Sequence, residues 1–100
     1  MPSLNWNDAP VSCSARFLGA NSSVLTGDLL EVSPRGLCLG LDAELERGRM
    51  LHLEFELPTG HVEAVGEVHW AVEKRGRVEL GIRFVGISAE SLGVITGATV

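Results

Sequence analysis

Apolar and polar side chains alternate strictly in the stretch Leu51-His52-Leu53-Glu54-Phe55-Glu56-Leu57. Because successive side chains of a β-strand point to opposite faces of the sheet, this pattern predicts a strand whose four apolar residues face a core. The other three side chains then face water, and we interpret His52 as a solvated strand residue rather than a ligand or a base. The fold is therefore expected to consist of half-buried strands.

The same alternation marks five further stretches, residues 11–17, 24–32, 37–41, 62–72 and 78–84. Together with residues 51–57 they make six predicted strands. In stretch 62–72 we expect an inner face made of Val62, Ala64, Val68, Trp70 and Val72. Gly66 falls on that same apolar face, and its missing side chain predicts a bulge or bend. Trp70 is expected to fill the core together with Phe17, Phe55 and Phe84.

Two turns are predicted between these strands. The four residues Ser33-Pro34-Arg35-Gly36 form a tight turn, in which proline presets its own φ and Gly36 is expected to accept a positive φ. Residues 73–77, which contain a glycine, form a hairpin loop.

The end of the chain departs from the alternation. Ser88 is predicted to cap a short helix, which docks through Leu92 and Ile95. Short strands with turn signals between them predict an all-β fold, and closure into a barrel removes exposed strand edges. We expect a six-stranded antiparallel β-barrel with a short C-terminal helix over residues 11–100, preceded by an N-terminal segment, residues 1–10.

Composition narrows the class of protein. The chain has 100 residues, 45% hydrophobic and 21% charged, which is typical of one folded domain. A formal net charge of −5 provides no field that attracts nucleic acid or an anionic membrane. The apolar stretches are too short to span a bilayer, and the N-terminus lacks the regions of a signal peptide, so a cytoplasmic location is expected.

Cysteines and histidines give no sign of a metal or a disulfide framework. Cys13 and Cys38 have no CxxC spacing, and we expect buried reduced thiols. The histidines His52, His61 and His69 lack the i, i+4 helical spacing of a zinc site, and we expect no metal ion.

Four features together resemble the PilZ domain of bacteria: the strand order, the turn of residues 31–37, the stretch Gly66-x-Val68-x-Trp70 and the closing stretch 81–88. The resemblance covers Val11 to about Thr96. It implies a six-stranded barrel with a C-terminal helix and a role in signalling, because many members bind the second messenger cyclic di-GMP. Those members use an RxxxR motif before the first strand and a D/N-x-S-x-x-G motif at a turn.

The turn motif is present here in altered form, with Glu31 at the acidic position and Ser33 and Gly36 at the matching ones. The resemblance implies that this turn lies at the family's ligand site, so Glu31, Ser33, Arg35 and Gly36 are the candidate ligand-binding residues. The alternative is that Ser33 and Gly36 serve only the turn. The RxxxR motif is missing, because residues 1–15 contain no arginine or lysine.

These observations favour a non-catalytic adaptor over a receptor. We expect a protein-interaction domain in bacterial cyclic-di-GMP-related or motility regulation, with weak or no nucleotide binding, no cofactor and an unidentified signalling or motility protein as its partner. Family members that lack the motifs are associated with type IV pilus function. The alternative is a cyclic di-GMP receptor that uses the residual turn motif and a substitute arginine, from Arg35, from Arg47 with Arg49, or from residues 74–77.

Trp6 is the candidate partner-binding residue, because it lies in a polar segment before the first strand. The alternative is that its side chain covers one end of the barrel. An enzyme is not expected, because the chain has no Ser-His-Asp or Cys-His pattern placed near turns and no glycine-rich phosphate loop that opens a helix.

Overall fold

The structure, a computed structural model, describes residues 4–5, 11–19 and 24–99. Within them lie seven β-strands and one α-helix: β1 (Leu4–Asn5), β2 (Val11–Phe17), β3 (Leu25–Ser33), β4 (Gly36–Leu41), β5 (Met50–Leu57), β6 (Gly60–Lys74), β7 (Arg77–Ile87) and α1 (Ala89–Thr99).

Six of the strands close into a barrel. They pair antiparallel in the order β3-β2-β5-β6-β7-β4, and β4 pairs back onto β3. The two-residue strand β1 adds to β3, where Leu4 pairs with Val32 and Asn5 with Glu31. The predicted six-stranded antiparallel barrel with one C-terminal helix is thereby confirmed, and closure satisfies the strand edges that an open sheet of this size would expose.

The barrel interior is filled mainly by leucine and valine. In β5 the residues Leu51, Leu53, Phe55 and Leu57 are buried, as the alternation predicted. Each such side chain contributes roughly 1.5–3 kcal/mol relative to the exposed state. Phe17 and Phe84 are only partly buried and pack against the edge of this core.

Strand β6 shows two register shifts against β7. The first, between Val65 and Gly66, is a bulge at the predicted position, but its extra residue is Val85 on β7, so the alternation in β6 continues to Val68. A Cβ at Gly66 would overlap the side chain of Ile82. The second, between residues 68 and 70, inserts one residue and so reverses which side chains face inward. As a result Trp70 is 47% exposed and Val72 is 44% exposed, and the prediction that they fill the barrel is wrong.

The β3–β4 connection is the predicted tight turn, since Ser33 pairs with Gly36 across Pro34 and Arg35. Gly36 is not among the described residues with positive φ, so the expected backbone conformation is wrong. A Cβ at Gly36 would instead overlap the carbonyl oxygen of Ile82 on β7. Glycine is required here because two strands approach closely.

The β6–β7 connection confirms the predicted hairpin loop. Its two central residues, Arg75 and Gly76, have φ of 53° and 81°. Positive φ at both positions is typical of the type I′ turn, whose twist matches that of the flanking strands.

Helix α1 begins as predicted, because the backbone N–H of Ser91 donates a hydrogen bond to Ser88 Oγ at 3.1 Å. Ile95 is fully buried against the barrel, whereas Leu92 is only partly buried and is not among the hydrophobic residues that pack against the core. The prediction that Leu92 docks the helix is therefore wrong. The face of α1 that packs against the barrel follows the helical spacing of three and four residues and consists of Ser91, Val94, Ile95 and Ala98. Among the described residues no helix is long and apolar enough to cross a membrane.

Candidate functional site

An open groove of about 460 Å³ lies beside the β3–β4 turn. All four residues taken from the altered turn motif, Glu31, Ser33, Arg35 and Gly36, line this groove. The remaining wall comes from β4, β6 and β7 and includes Cys38, His69, Trp70, Glu79, Gly81 and Arg83. The motif residues therefore lie in a concave surface that is large enough for a small ligand or for a side chain of another protein.

Strand register explains why Trp70 reaches this groove. Cys38 pairs with Gly81, and Gly81 pairs with Trp70, so that three neighbouring strands present one row of residues. Gly81 has no side chain, and a Cβ built there would overlap the indole of Trp70. The indole consequently lies over β7 and shields Gly81, while almost half of its surface stays exposed to the groove.

Ser33 is engaged within the turn itself. Its Oγ accepts a hydrogen bond from the backbone N–H of Arg35 at 3.3 Å and lies 3.5 Å from the carbonyl oxygen of Gly36. The carbonyl oxygen of Arg35 in turn accepts a hydrogen bond from the N–H of Phe84 at 2.9 Å. The turn is thus fixed both internally and against β7, which directs the Arg35 side chain outward.

The side chains that line the groove carry two positive and two negative charges. Arg35 and Arg83 are the arginines among its lining residues, and Glu31 and Glu79 are the carboxylates. Lys74 lies 3.7 Å from Glu79 and partly neutralises it. Burial, together with the smaller effect of the neighbouring carboxylates Glu79 and Glu31, raises the pKa of the Cys38 thiol to about 11. The thiol therefore stays protonated at neutral pH.

The other arginines considered as substitutes do not line the groove. Arg77 donates to Asp28 at 3.0 Å, and the Arg49 guanidinium lies 4.1 Å from the centre of the Phe17 ring. Neither lines the groove, nor does Arg47. Among the described residues, Arg35 and Arg83 are thus the arginines that the fold brings to this site.

Sequence reasoning missed Trp70 and Arg83. Arg83 is a polar residue on the outer face of β7 and pairs with Gly36 of the turn motif, and this pairing is what identifies it as a groove residue. Trp70 is recognisable only once the bulge in β6 is known. Trp6, the candidate partner-binding residue, lies outside the described residues.

A closed barrel with a C-terminal helix and an open, mixed-polarity groove is typical of a binding module. The PilZ domain family profile matches residues 8–98, and the chain belongs to this family. PilZ domains are signalling and receptor domains and are not known as enzymes.

Solved structures show the same fold. The PilZ domain of YcgR from Escherichia coli with c-di-GMP has a TM-score of 0.80 and 18% identity, and the match covers 97% of this chain and 85% of that one. YcgR from Escherichia coli in complex with c-di-GMP has a TM-score of 0.77 and 22% identity, with coverages of 95% and 41%.

A third solved structure is the Bacillus subtilis inhibitor of motility, MotI/DgrA, with a TM-score of 0.76, 14% identity and coverages of 94% and 46%. The chain thus spans less than half the length of this protein and of the longer YcgR chain. No curated protein sequence matches the chain significantly.

Proposed function

We propose that the chain is a non-catalytic PilZ signalling domain that acts by contacting a partner protein in the bacterial cytoplasm and binds cyclic di-GMP weakly or not at all. The observation that carries this proposal is the balanced charge of the groove. Two arginines, Arg35 and Arg83, lie there with two carboxylates, Glu31 and Glu79. Cyclic di-GMP carries two negative charges, and the two carboxylates of the groove weaken its attraction to the two arginines, although Lys74 offsets part of the Glu79 charge.

The missing RxxxR motif supports the same conclusion. A charge-assisted hydrogen bond contributes roughly 1.5–3 kcal/mol, and each 1.4 kcal/mol changes an equilibrium constant tenfold. Loss of two such arginines weakens binding by about two to four powers of ten. The first basic residue, Arg16, lies 3.8 Å from Glu54 on another face of the barrel and does not replace them.

Exposed apolar side chains in and beside the groove have the character of a protein-binding surface. Trp70 is 47% exposed and Val72, two residues further along β6, is 44% exposed. Tryptophan is enriched among residues that dominate the energy of protein interfaces. The structural relative from Bacillus subtilis is described as an inhibitor of motility, and a signalling or motility protein is accordingly the proposed partner.

Isothermal titration with cyclic di-GMP tests the proposal first. We expect no saturable heat at micromolar ligand and no change in Tm. Affinity capture from a lysate of the source bacterium then compares the parent chain with Trp70→Ala. Val85→Ala is the matched control, because Val85 is 49% exposed on β7 and does not line the groove. Loss of one specific partner in Trp70→Ala alone supports the adaptor function, whereas micromolar nucleotide binding without a partner overturns it.

A cyclic di-GMP receptor is the second candidate, and one observation favours it. Arg35, Arg83 and the exposed face of Trp70 border one groove. Guanidinium groups pair with phosphates and an indole offers a stacking surface for a base. If this function is correct, Arg35→Ala and Ser33→Ala weaken nucleotide binding, while Arg47→Ala does not. Unchanged affinity in the first two variants rules this mode out.

A further inference from the structure

A cluster of imidazole and carboxylate groups lies on the outer faces of β5 and β6, away from the groove. Strand register sets Glu54 directly opposite Glu63. Like charges that face each other across an antiparallel pair destabilise the sheet. Positive charge near the two carboxylates therefore stabilises the arrangement. Arg16 and His61 lie next to Glu54, and His52 lies next to Glu63.

His52 lies within 4 Å of both glutamates. One donor atom from each of His52, Glu54 and Glu63 lies within 4.8 Å of the others. His52 Nε2 is 3.7 Å from Glu63 Oε1, and His52 Nδ1 is 3.9 Å from Glu54 Oε1. An ion binds only one imidazole nitrogen, and on the open side this is Nε2. Bonds of about 2.0–2.1 Å at tetrahedral angles separate ligand atoms by about 3.3 Å, so Glu63 is already close to the required position and Glu54 must rotate toward Nε2.

A neighbouring histidine fixes the central carboxylate. His61 Nδ1 lies 2.6 Å from Glu56 Oε1, and His61 Nε2 lies 3.3 Å from Glu54 Oε2. Because Glu54 Oε2 faces His61, its Oε1 faces the cluster. Chains in which a carboxylate orients a histidine, which orients a ligand, are the usual outer support of metal sites.

The surroundings leave one side of the cluster open. The guanidinium of Arg16 lies 3.4 Å from His52 Nδ1 and 3.8 Å from Glu54 Oε1, so it covers the Nδ1 side of the imidazole. A cavity of about 410 Å³ is lined by His52, His61 and Glu63 together with the start of α1. An ion can therefore reach the Nε2 side and keep a water molecule as a further ligand.

We propose that His52, Glu54 and Glu63 bind a divalent first-row transition metal ion such as Zn²⁺, with His61 as a positioning residue. One imidazole and two carboxylates suit such an ion, and its two positive charges balance the two opposed glutamates. Mg²⁺ and Ca²⁺ prefer oxygen ligands only, and the imidazole favours the transition metal over them. Metal-ligand spacing rules for helices do not find this site, because its donors come from two paired strands.

Titration of tag-free, chelator-treated protein with ZnCl₂ tests the proposal. We expect one Zn²⁺ per chain and a higher Tm with the metal. Loss of a residue that only supports a metal ligand lowers metal affinity roughly 10–100-fold. His52→Gln and Glu63→Gln remove a ligand itself, so we expect each to weaken Zn²⁺ binding by more than about tenfold. His69→Gln is the matched control, because His69 lies in the groove and takes no part in the cluster.

Two further measurements distinguish loss of the metal site from loss of folding and from any effect on the groove. Without metal, Glu63→Gln keeps or raises the Tm, because it removes one of two opposed charges. With Co²⁺ as the probe, the visible absorption of bound cobalt appears in the parent chain and in His69→Gln and is lost in His52→Gln. Absence of saturable Zn²⁺ binding, equal affinity for Ca²⁺, or equal loss in His69→Gln overturns the proposal.

Discussion

Replacement of Gly36 by alanine distinguishes two physical reasons for a glycine at the β3–β4 turn. If glycine served only backbone freedom, alanine at this φ would reduce the entropy of the unfolded chain and stabilise the protein by about 0.4–1 kcal/mol. In the structure a Cβ at Gly36 overlaps the carbonyl oxygen of Ile82 and lies 3.0 Å from the Cα of Arg83. Both are backbone atoms of β7, which cannot rotate away as a side chain can.

We therefore expect Gly36→Ala to lower the free energy of unfolding by about 1–3 kcal/mol, the usual effect of overpacking. For a domain of this size each kcal/mol corresponds to a Tm lower by about 4–8 °C. Urea denaturation followed by circular dichroism measures the change. The control is Gly93→Ala on α1, where a Cβ meets no atom within 4 Å and helix propensity predicts stabilisation by about 1 kcal/mol. An unfolding free energy of Gly36→Ala equal to or above that of the parent chain would refute the close approach of β4 and β7.

Three further predictions concern the helix and the titratable groups. Ile95→Ala should lower the free energy of unfolding by about 2–5 kcal/mol in urea, because Ile95 is fully buried between α1 and the barrel. A hydrogen bond to Glu56 raises the pKa of His61, so NMR titration should show a lower His61 pKa in Glu56→Gln than in the parent chain. The same hydrogen bond should stabilise the folded protein slightly at low pH, and this contribution should be lost as the pH rises through the folded-state pKa of His61. Burial raises the thiol pKa of Cys13 to about 12 and that of Cys38 to about 11, so iodoacetamide at pH 7.5 should modify both slowly in the folded protein, Cys38 first.

The sequence predicted the barrel well because most strands alternate without interruption. The stretch Leu51–Leu57 illustrates this, since every second residue is buried as the pattern requires. The prediction failed where pairing with another strand decided the outcome. The inserted residue between Val68 and Trp70 depends on the register of β6 against β7, which no local pattern in β6 reveals. Likewise the reason for Gly36 lies in β7, which is far away in the sequence.

The candidate site could be predicted only in part for the same physical reason. A turn motif is contiguous, so Glu31, Ser33 and Gly36 were found directly from the sequence. Arg83 and Trp70 reach the groove through β4–β7 and β6–β7 pairing. Sites made on adjacent strands therefore stay hidden until the register is known, and this holds for the cluster on β5 and β6 as well.

The bulge in β6 links the fold to the proposed function. Beyond Val68 the residues 69–76 are all exposed, so this end of the strand contributes little to the core. The inserted residue places Trp70 on the same outer face as Gly81, whose missing side chain leaves room for the indole. An exposed tryptophan is not needed to fill this barrel, and its rigid indole suits an interface because few rotamers are lost on binding. A substitution at Trp70 is therefore expected to reduce partner binding much more than it reduces stability, which is the separation that a contact residue shows and a core residue does not.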